Sequence, residues 1–231
     1  MSTIAESLAE VRARIERAAA SAARDPSTVR LVAVSKTKQA SAIREAYAAG
    51  QRDFGENYAQ ELAEKAEALS DLPDIRWHFI GHLQSNKAKL VAPIAHLVHT
   101  IDSASLAREL GKRIARLGRE RLRVLVEVNV GGEAQKAGVK PDDLPGLLDA
   151  VDAEPNLHLQ GLMTMPPHDL DEARRAFEGL VALRERHGGA ARLPKLSMGM
   201  TDDLEVAVAC GATLVRVGTA IFGARQYPTS S

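Results

Sequence analysis

The sequence predicts an α/β fold, a (β/α)₈ TIM barrel with an extra N-terminal helix, and three observations carry that prediction. Short runs rich in Val and Leu alternate with helical stretches along the chain, the signature of βαβ units and a parallel sheet. The runs number eight, nearly every one followed by a helical stretch. The length of 231 residues suits one barrel at the short end of the usual size. On pattern alone, the alternative is an open doubly wound sheet.

Ile4, Leu8, Val11 and Ile15 recur at helical spacing, so residues 3–23 are expected to form an amphipathic helix that Asp25-Pro26 ends. This helix precedes the first strand and either caps the barrel's bottom or packs along its wall. Strands are expected at 31–35 (LVAVS), 53–56 (DFGE), 76–81 (RWHFIG) and 97–102 (LVHTID). Four more follow at 124–130 (VLVEVNV), 159–165 (LQGLMTM), 194–199 (PKLSMG) and 213–218 (TLVRVG). LVAVS and VLVEVNV in particular read as strands buried on both faces. Helices are expected near 39–49, 58–70, 85–93, 103–118, 141–153, 170–187 and 202–210. No linker or low-complexity tract interrupts the pattern, so residues 1–231 are read as a single domain.

Hydrophobic residues make up 45% and charged residues 26%, which is ordinary globular composition. Lys plus Arg equals Asp plus Glu at 30 each, so no global field draws nucleic acid or a membrane surface. The single cysteine, Cys210, forms no internal disulfide and fits a reducing compartment. The charged N-terminus lacks a signal-peptide core, and no window reads as a membrane span. The expectation is a cytoplasmic protein, with a monomer as the simplest state.

The chemistry concentrates at predicted strand ends. Lys36 follows LVAVS directly, at the mouth where barrels place their active sites. A lysine stem packed among apolar residues loses solvation, and the neutral amine then becomes available to an aldehyde. Position alone favours a solvated surface lysine, since lysines are common and mostly solvated. Lys38 reads as a solvated neighbour whose charge also depresses that of Lys36. At the far end of the chain, Ser197 and Gly199 close strand seven, and Gly218-Thr219 closes strand eight. Barrels often hold phosphate with these two loops, where glycine admits an anion to backbone N–H groups and a hydroxyl adds a donor. Turn geometry alone is the competing reading for both glycines. Thr201 with Asp202-Asp203 reads as a helix N-cap with structural acids. Arg216 is a charge inside an apolar strand, which calls for a partner: Glu127, another carboxylate, or a heteroaromatic nitrogen of a ligand.

Five stretches carry a specific resemblance: VAVSKTK (32–38), FGENYAQE (54–61), WHFIGHLQSNK (77–87), GLMTMP (161–166) and LSMGMTDDLEVAVACGATLVRVGTAIFG (196–223). In order and spacing, from about residue 30 to 225, the chain resembles the pyridoxal phosphate homeostasis protein family. These are barrels of PLP fold type III, similar to the alanine racemase N-terminal domain. The resemblance implies pyridoxal 5′-phosphate (PLP) as cofactor, held as a Schiff base on Lys36. It further implies Ser197, Gly218 and Thr219 at the phosphate, Arg216 facing the pyridine nitrogen and Asn57 beside the ring. A guanidinium keeps that nitrogen unprotonated and makes the ring a weaker electron sink.

Racemases of this fold class add a second base from a further domain. Here the barrel uses the chain up to Gly223, and the tail offers only Tyr227, a poor place for a preorganised base. The missing base favours a PLP binder over a fast enzyme, and the resemblance implies a role in intracellular PLP homeostasis, with PLP-dependent apoenzymes as recipients. The alternatives are a PLP-dependent racemase, lyase or aldolase, and a Schiff-base aldolase acting on a sugar phosphate through Lys36. Smaller features read blandly. His78, His82, His96 and His99 superficially suggest a metal, but strand parity and the lack of cysteine partners argue against one. His82 is a possible pocket residue at the mouth of strand three. Lys136, in the Gly131–Gly138 loop, is a solvated lysine or a transient second amine. Met163, Met165, Met198 and Met200 read as packing residues.

Overall fold

The computed structural model describes residues 2–133 and 136–224. Eight parallel strands close into a barrel in chain order. They are β1 (Arg30–Val34), β2 (Asp53–Glu56), β3 (Arg76–Phe79), β4 (Leu97–Ile101), β5 (Leu122–Glu127), β6 (Leu157–Met163), β7 (Lys195–Ser197) and β8 (Leu214–Val217). Closure comes from β8 returning to β1, with Arg30 to Ala33 in register with Leu214 to Val217. That seam removes the open doubly wound sheet from consideration.

Period-two alternation divides each strand between two cores. Outward residues such as Leu31, Ala33, Val98, Val124, Leu162 and Val215 join the large core beneath the helices. Inward residues Val32, Leu97, Leu125, Met163 and Leu214 form a separate apolar cluster in the lumen. A barrel interior filled by side chains is a packed core, not a pore.

The helices are α1 (Ile4–Ser21), α2 (Ala40–Ala48), α3 (Ala59–Ala68), α4 (Ala88–Val91), α5 (Ala104–Leu117), α6 (Leu144–Asp152), α7 (Leu170–Arg186), α8 (Gly189–Arg192), α9 (Leu204–Ala209) and α10 (Thr219–Phe222). The sequence reading missed α8 and α10, each a single turn too short to show periodicity. The stretch expected at 85–93 splits into a 3₁₀ turn and the short α4, so that connection is tighter than one helix.

Helix α1 lies along the wall. Thr3 and Glu6 close its N-terminus with a capping box, and Leu8, Val11, Ile15 and Ala19 are buried. It packs against α2, α9 and α10 and so covers the β8–β1 seam. Arg14 forms a two-pronged pair with Glu205 at 2.7 and 2.9 Å and donates to the Thr201 carbonyl at 2.8 Å. The extra helix thereby fixes the loop after β7, one wall of the site below. No described helix is long and apolar enough to cross a membrane.

Candidate functional site at the barrel mouth

Lys36 stands two residues past β1, and both of its neighbours are tied down. Ser35 is fully buried; its N–H donates to the Gly55 carbonyl at 3.0 Å and its hydroxyl to Glu56 Oε1 at 2.6 Å. Lys65, on α3, donates to the Ser35 carbonyl at 2.6 Å and to Glu56 and Glu61, each at 2.7 Å. Glu61 in turn accepts from the Thr37 N–H, with Thr37 in the left-handed region at φ 63°. Such a conformation in a β-branched residue persists only where its surroundings impose it. Burial pushes the Glu56 carboxyl up, and the Lys65 ammonium opposes that shift. This buried Lys65–Glu56–Glu61 cluster holds the turn that carries Lys36. The sequence reading missed it, although the i, i+4 spacing of Glu61 and Lys65 on α3 is visible.

Lys36, Asn57, Arg216, Gly218 and Thr219 all line one cleft of about 320 Å³ at the mouth. Asn57 follows β2, and its position depends on Gly81: a Cβ there would lie 2.1 Å from the Asn57 carbonyl oxygen. No residue but glycine fits that approach. The Asn57 Oδ1 atom is buried and meets no hydrogen-bond partner among the described residues. A buried unsatisfied acceptor is costly and marks a place where a ligand contributes the missing bond. Gly218 brings the end of β8 against Val34, whose carbonyl oxygen would lie 3.0 Å from an added Cβ. It also opens α10, whose first N–H groups have no acceptor within the helix.

Arg216 is 3% exposed, and among the described residues no carboxylate hydrogen-bonds to it. Its Nη1 donates to Ser197 Oγ at 2.7 Å and its Nη2 to the Thr164 carbonyl at 3.0 Å and Met165 Sδ at 3.1 Å. Burial lowers its pKa to about 10, which leaves it protonated at neutral pH. The Glu127 pairing weighed from sequence does not form. Glu127 is itself buried with Oε2 unpartnered, and burial, reinforced by Asp102, raises its pKa to about 7.

Ser197 ends β7 as expected, but its side chain does not line the cleft. Strand parity turns it into the lumen, fully buried, where its hydroxyl meets Arg216 and His99 Nδ1, the latter at 2.8 Å. It is absent from the cleft lining, and its side chain supports Arg216 from below. The hydroxyl on the cleft wall from this loop is instead that of Thr201, which the sequence reading took for an N-cap. The residue at the N-cap of α9 is Asp203, whose Oδ1 takes the Met200 N–H. Gly199 is a packing glycine: φ is 94° and an added Cβ would meet that of Ala207 at 2.5 Å.

Other expectations resolve by placement. Lys38 donates to the Ala224 carbonyl at 2.8 Å and lines the cleft, so it is more than a solvated neighbour. His82 is exposed and pairs with Asp102 at 3.2 Å, apart from the cleft lining. His78 turns into the lumen and contacts His99, so the H-x₃-H spacing does not bring His78 and His82 together. Lys136 pairs with Glu133 at 2.5 Å. Met163 and Met198 are core residues, while Met165 and Met200 line the cleft. Tyr227 lies outside the described residues.

The sequence matches the family described as alanine racemase, N-terminal domain, over residues 7–226. A pyridoxal phosphate homeostasis protein of Pseudomonas aeruginosa is 52% identical over 230 residues, covering 98% of each chain. That of Escherichia coli K12 is 44% identical over 236 residues, covering 98% of this chain and 99% of its own. Among solved structures, PipY of Synechococcus elongatus with PLP bound superimposes with a TM-score of 0.81 at 39% identity, over 96% of this chain and all of that one. Alanine racemase from Corynebacterium glutamicum, at 18% identity and a TM-score of 0.69, shares the fold over 98% of this chain and 63% of its own. The (β/α)₈ barrel, the lysine at the end of its first strand and these full-length similarities lead to one conclusion: the chain belongs to the pyridoxal phosphate homeostasis protein family.

Proposed function

We propose that this chain binds pyridoxal 5′-phosphate at the barrel mouth and serves its intracellular homeostasis as a carrier, not as a fast enzyme. The observation that carries the proposal is the gathering of Lys36, Asn57, Arg216, Gly218 and Thr219 around one cleft from strands far apart in sequence. The donor set suits the ligand: an amine for an aldehyde, a permanent cation for a ring nitrogen, and backbone and hydroxyl groups for a phosphate. When bound, the cofactor supplies an aldehyde that a neutral amine takes up reversibly as a Schiff base.

Each residue has a defined task. Lys36 supplies the amine, and the Lys65 cluster fixes the turn that presents it. Arg216 donates to the ring nitrogen and cannot accept a proton from it. Gly218, Thr219 and Thr201 hold the phosphate, and the Asn57 side-chain oxygen gains the partner it lacks. Lys38, on the cleft wall, adds positive charge beside a dianionic ligand. The carrier reading draws support from Arg216, which weakens the ring as an electron sink, and from relatives of matching length that bear the homeostasis name. The proposal extends to a cytoplasmic monomer that passes PLP to PLP-dependent apoenzymes.

Incubating the PLP-loaded protein with a panel of L- and D-amino acids separates carrier from enzyme. The proposal predicts no racemisation, elimination or retro-aldol turnover approaching enzymatic rates of ~1 s⁻¹. Sustained turnover at that rate would overturn it.

A further inference from the structure

Beneath the cleft, five buried side chains from five strands touch in line through the barrel lumen. His78 Nε2 lies 2.9 Å from Asp53 Oδ1, and His78 Nδ1 lies 2.9 Å from His99 Nε2. His99 Nδ1 lies 2.8 Å from Ser197 Oγ, which accepts from Arg216 Nη1 at 2.7 Å. None is more than 4% exposed. Asp53 begins β2 at the floor, and Arg216 reaches the cleft, so the line runs from one end of the barrel toward the other.

The chemistry of the groups sets the direction of every bond. A guanidinium only donates, so Ser197 Oγ accepts from Arg216 and its single O–H is left for His99 Nδ1. With Nδ1 accepting, neutral His99 carries its proton on Nε2 and donates to His78 Nδ1. Neutral His78 then carries its proton on Nε2 and donates to Asp53. Protonating His78 would reverse His99 and leave the Ser197 O–H facing a donor, with no other acceptor contacting it among the described residues.

The surroundings hold that proton count. Burial keeps both imidazoles neutral; against the pull of Asp53, Lys195 and Arg30 act the same way on His78, and Arg216 and Lys195 on His99. His96, its ring tilted toward that of His78 at 6.0 Å between centroids, is likewise kept neutral by burial. Asp53 stays ionised because Arg76 grips it at 2.9 and 2.6 Å and Arg30 stands at 3.4 Å. Its hydrogen bond to His78 adds to that.

We propose that Asp53, His78, His99 and Ser197 are positioning residues acting as one directional hydrogen-bond relay, which holds the Arg216 guanidinium in the orientation that meets a ligand's ring nitrogen. The affinity of the mouth for a pyridine-type ring is thereby set in part from the floor of the barrel. This rests on the reading of Arg216 as the ring-nitrogen contact. Hydrogen-bonded chains polarise each member, so cutting either end disturbs the same unit.

Two measurements test the relay. The first is ¹⁵N-resolved NMR of the imidazoles without PLP, where His78 and His99 are expected as neutral Nε2–H tautomers from pH 6 to 8. A doubly protonated ring, or an Nδ1–H tautomer at either residue, contradicts the relay whatever the chain binds. The second is spectrophotometric PLP titration of Asp53→Asn, Ser197→Ala and the double variant, with circular dichroism confirming the fold. Each single variant is expected to weaken PLP about tenfold, the size of one buried hydrogen bond, and the double variant no further. The deaza analogue, with C–H in place of the ring nitrogen, is expected to bind all three variants as it binds the unaltered chain. Additive losses, no loss, or equal losses for the analogue would overturn the proposal. If Asp53→Asn does not fold, His78→Gln replaces it in the cycle. An unaltered chain that takes up no PLP overturns the functional reading and the coupling to the ring, while the imidazole tautomers still decide the relay.

Discussion

At the floor of the barrel, Asp53 is met by Arg76 at 2.9 and 2.6 Å, by His78 at 2.9 Å and by Arg30 at 3.4 Å. Toward the mouth, Asn57 Oδ1 and Glu127 Oε2 are also shut off from solvent, yet no described residue partners them. Both ends bury polar atoms at strand ends, but Asp53 is fully partnered and these two mouth atoms are not. A fold dominated by stability would satisfy both, since each unmet buried acceptor costs about 1–3 kcal/mol. The floor is therefore read as scaffold, and the mouth as a surface completed by ligand. Barrels in general divide their two faces this way.

The scaffold reaches the mouth at the Lys65 cluster and at Gly81. Lys65→Met breaks the buried cluster behind Lys36 and leaves Glu56 uncompensated. Urea denaturation is expected to show a loss of about 3–5 kcal/mol, with PLP uptake falling alongside it. Gly81→Ala drives a methyl into the Asn57 carbonyl and should cost roughly 3 kcal/mol in the same assay. A mouth substitution should behave in the opposite sense. Glu127→Gln removes a carboxylate whose ionisation the fold resists, and should raise stability at pH 8 by roughly 1–2 kcal/mol. Asn57→Ala should raise it by up to about 1 kcal/mol while weakening PLP, since it deletes an unmet acceptor. A loss of stability from both mouth substitutions would erase the distinction between the two ends.

The pH dependence separates the two ends again. His78, His96 and His99 are held neutral in the fold, with His96 lowered to about 4, whereas an unfolded histidine titrates near ~6.5. The unfolded chain thus binds more protons in acid, so their contribution is present above about pH 6.5 and is lost as pH falls below it. Glu127 has the reverse sign. Its folded pKa of about 7 lies above the unfolded value, so its contribution is present in acid and is lost as pH rises through 7. The histidine and Glu127 effects oppose each other below about pH 7, so Glu127→Gln should steepen the rise of stability with pH up to that point and leave the profile level above it, as urea midpoints from pH 5 to pH 8 would show.

The barrel was legible because its strands are buried on both faces and read as apolar runs at regular spacing. That Lys36 and Gly218-Thr219 stand at the barrel mouth was legible because strand-end position has meaning in this fold, and Asn57 was placed there through the family resemblance. The relay was not legible. Asp53, His78, His99, Ser197 and Arg216 lie on five strands, and only closure brings them into contact. His78 and His99 therefore read by local spacing as weak metal candidates, and Ser197 as a phosphate donor. Inward parity was available as a signal, because His99 is two residues from Leu97, and Arg216 two from Leu214, on the same lumen face. Thr201 was misread because N-cap chemistry and anion binding call for the same hydroxyl residues.

The central claim is that Lys36 is the residue that takes the cofactor's aldehyde. Borohydride reduction of the PLP-loaded protein, followed by peptide mass mapping, tests it directly. A pyridoxyl group on the peptide containing Lys36 is expected as the dominant product, with Lys38 and Lys136 essentially unlabelled. A pyridoxyl group located mainly on another lysine, with Lys36 unmodified, would contradict it.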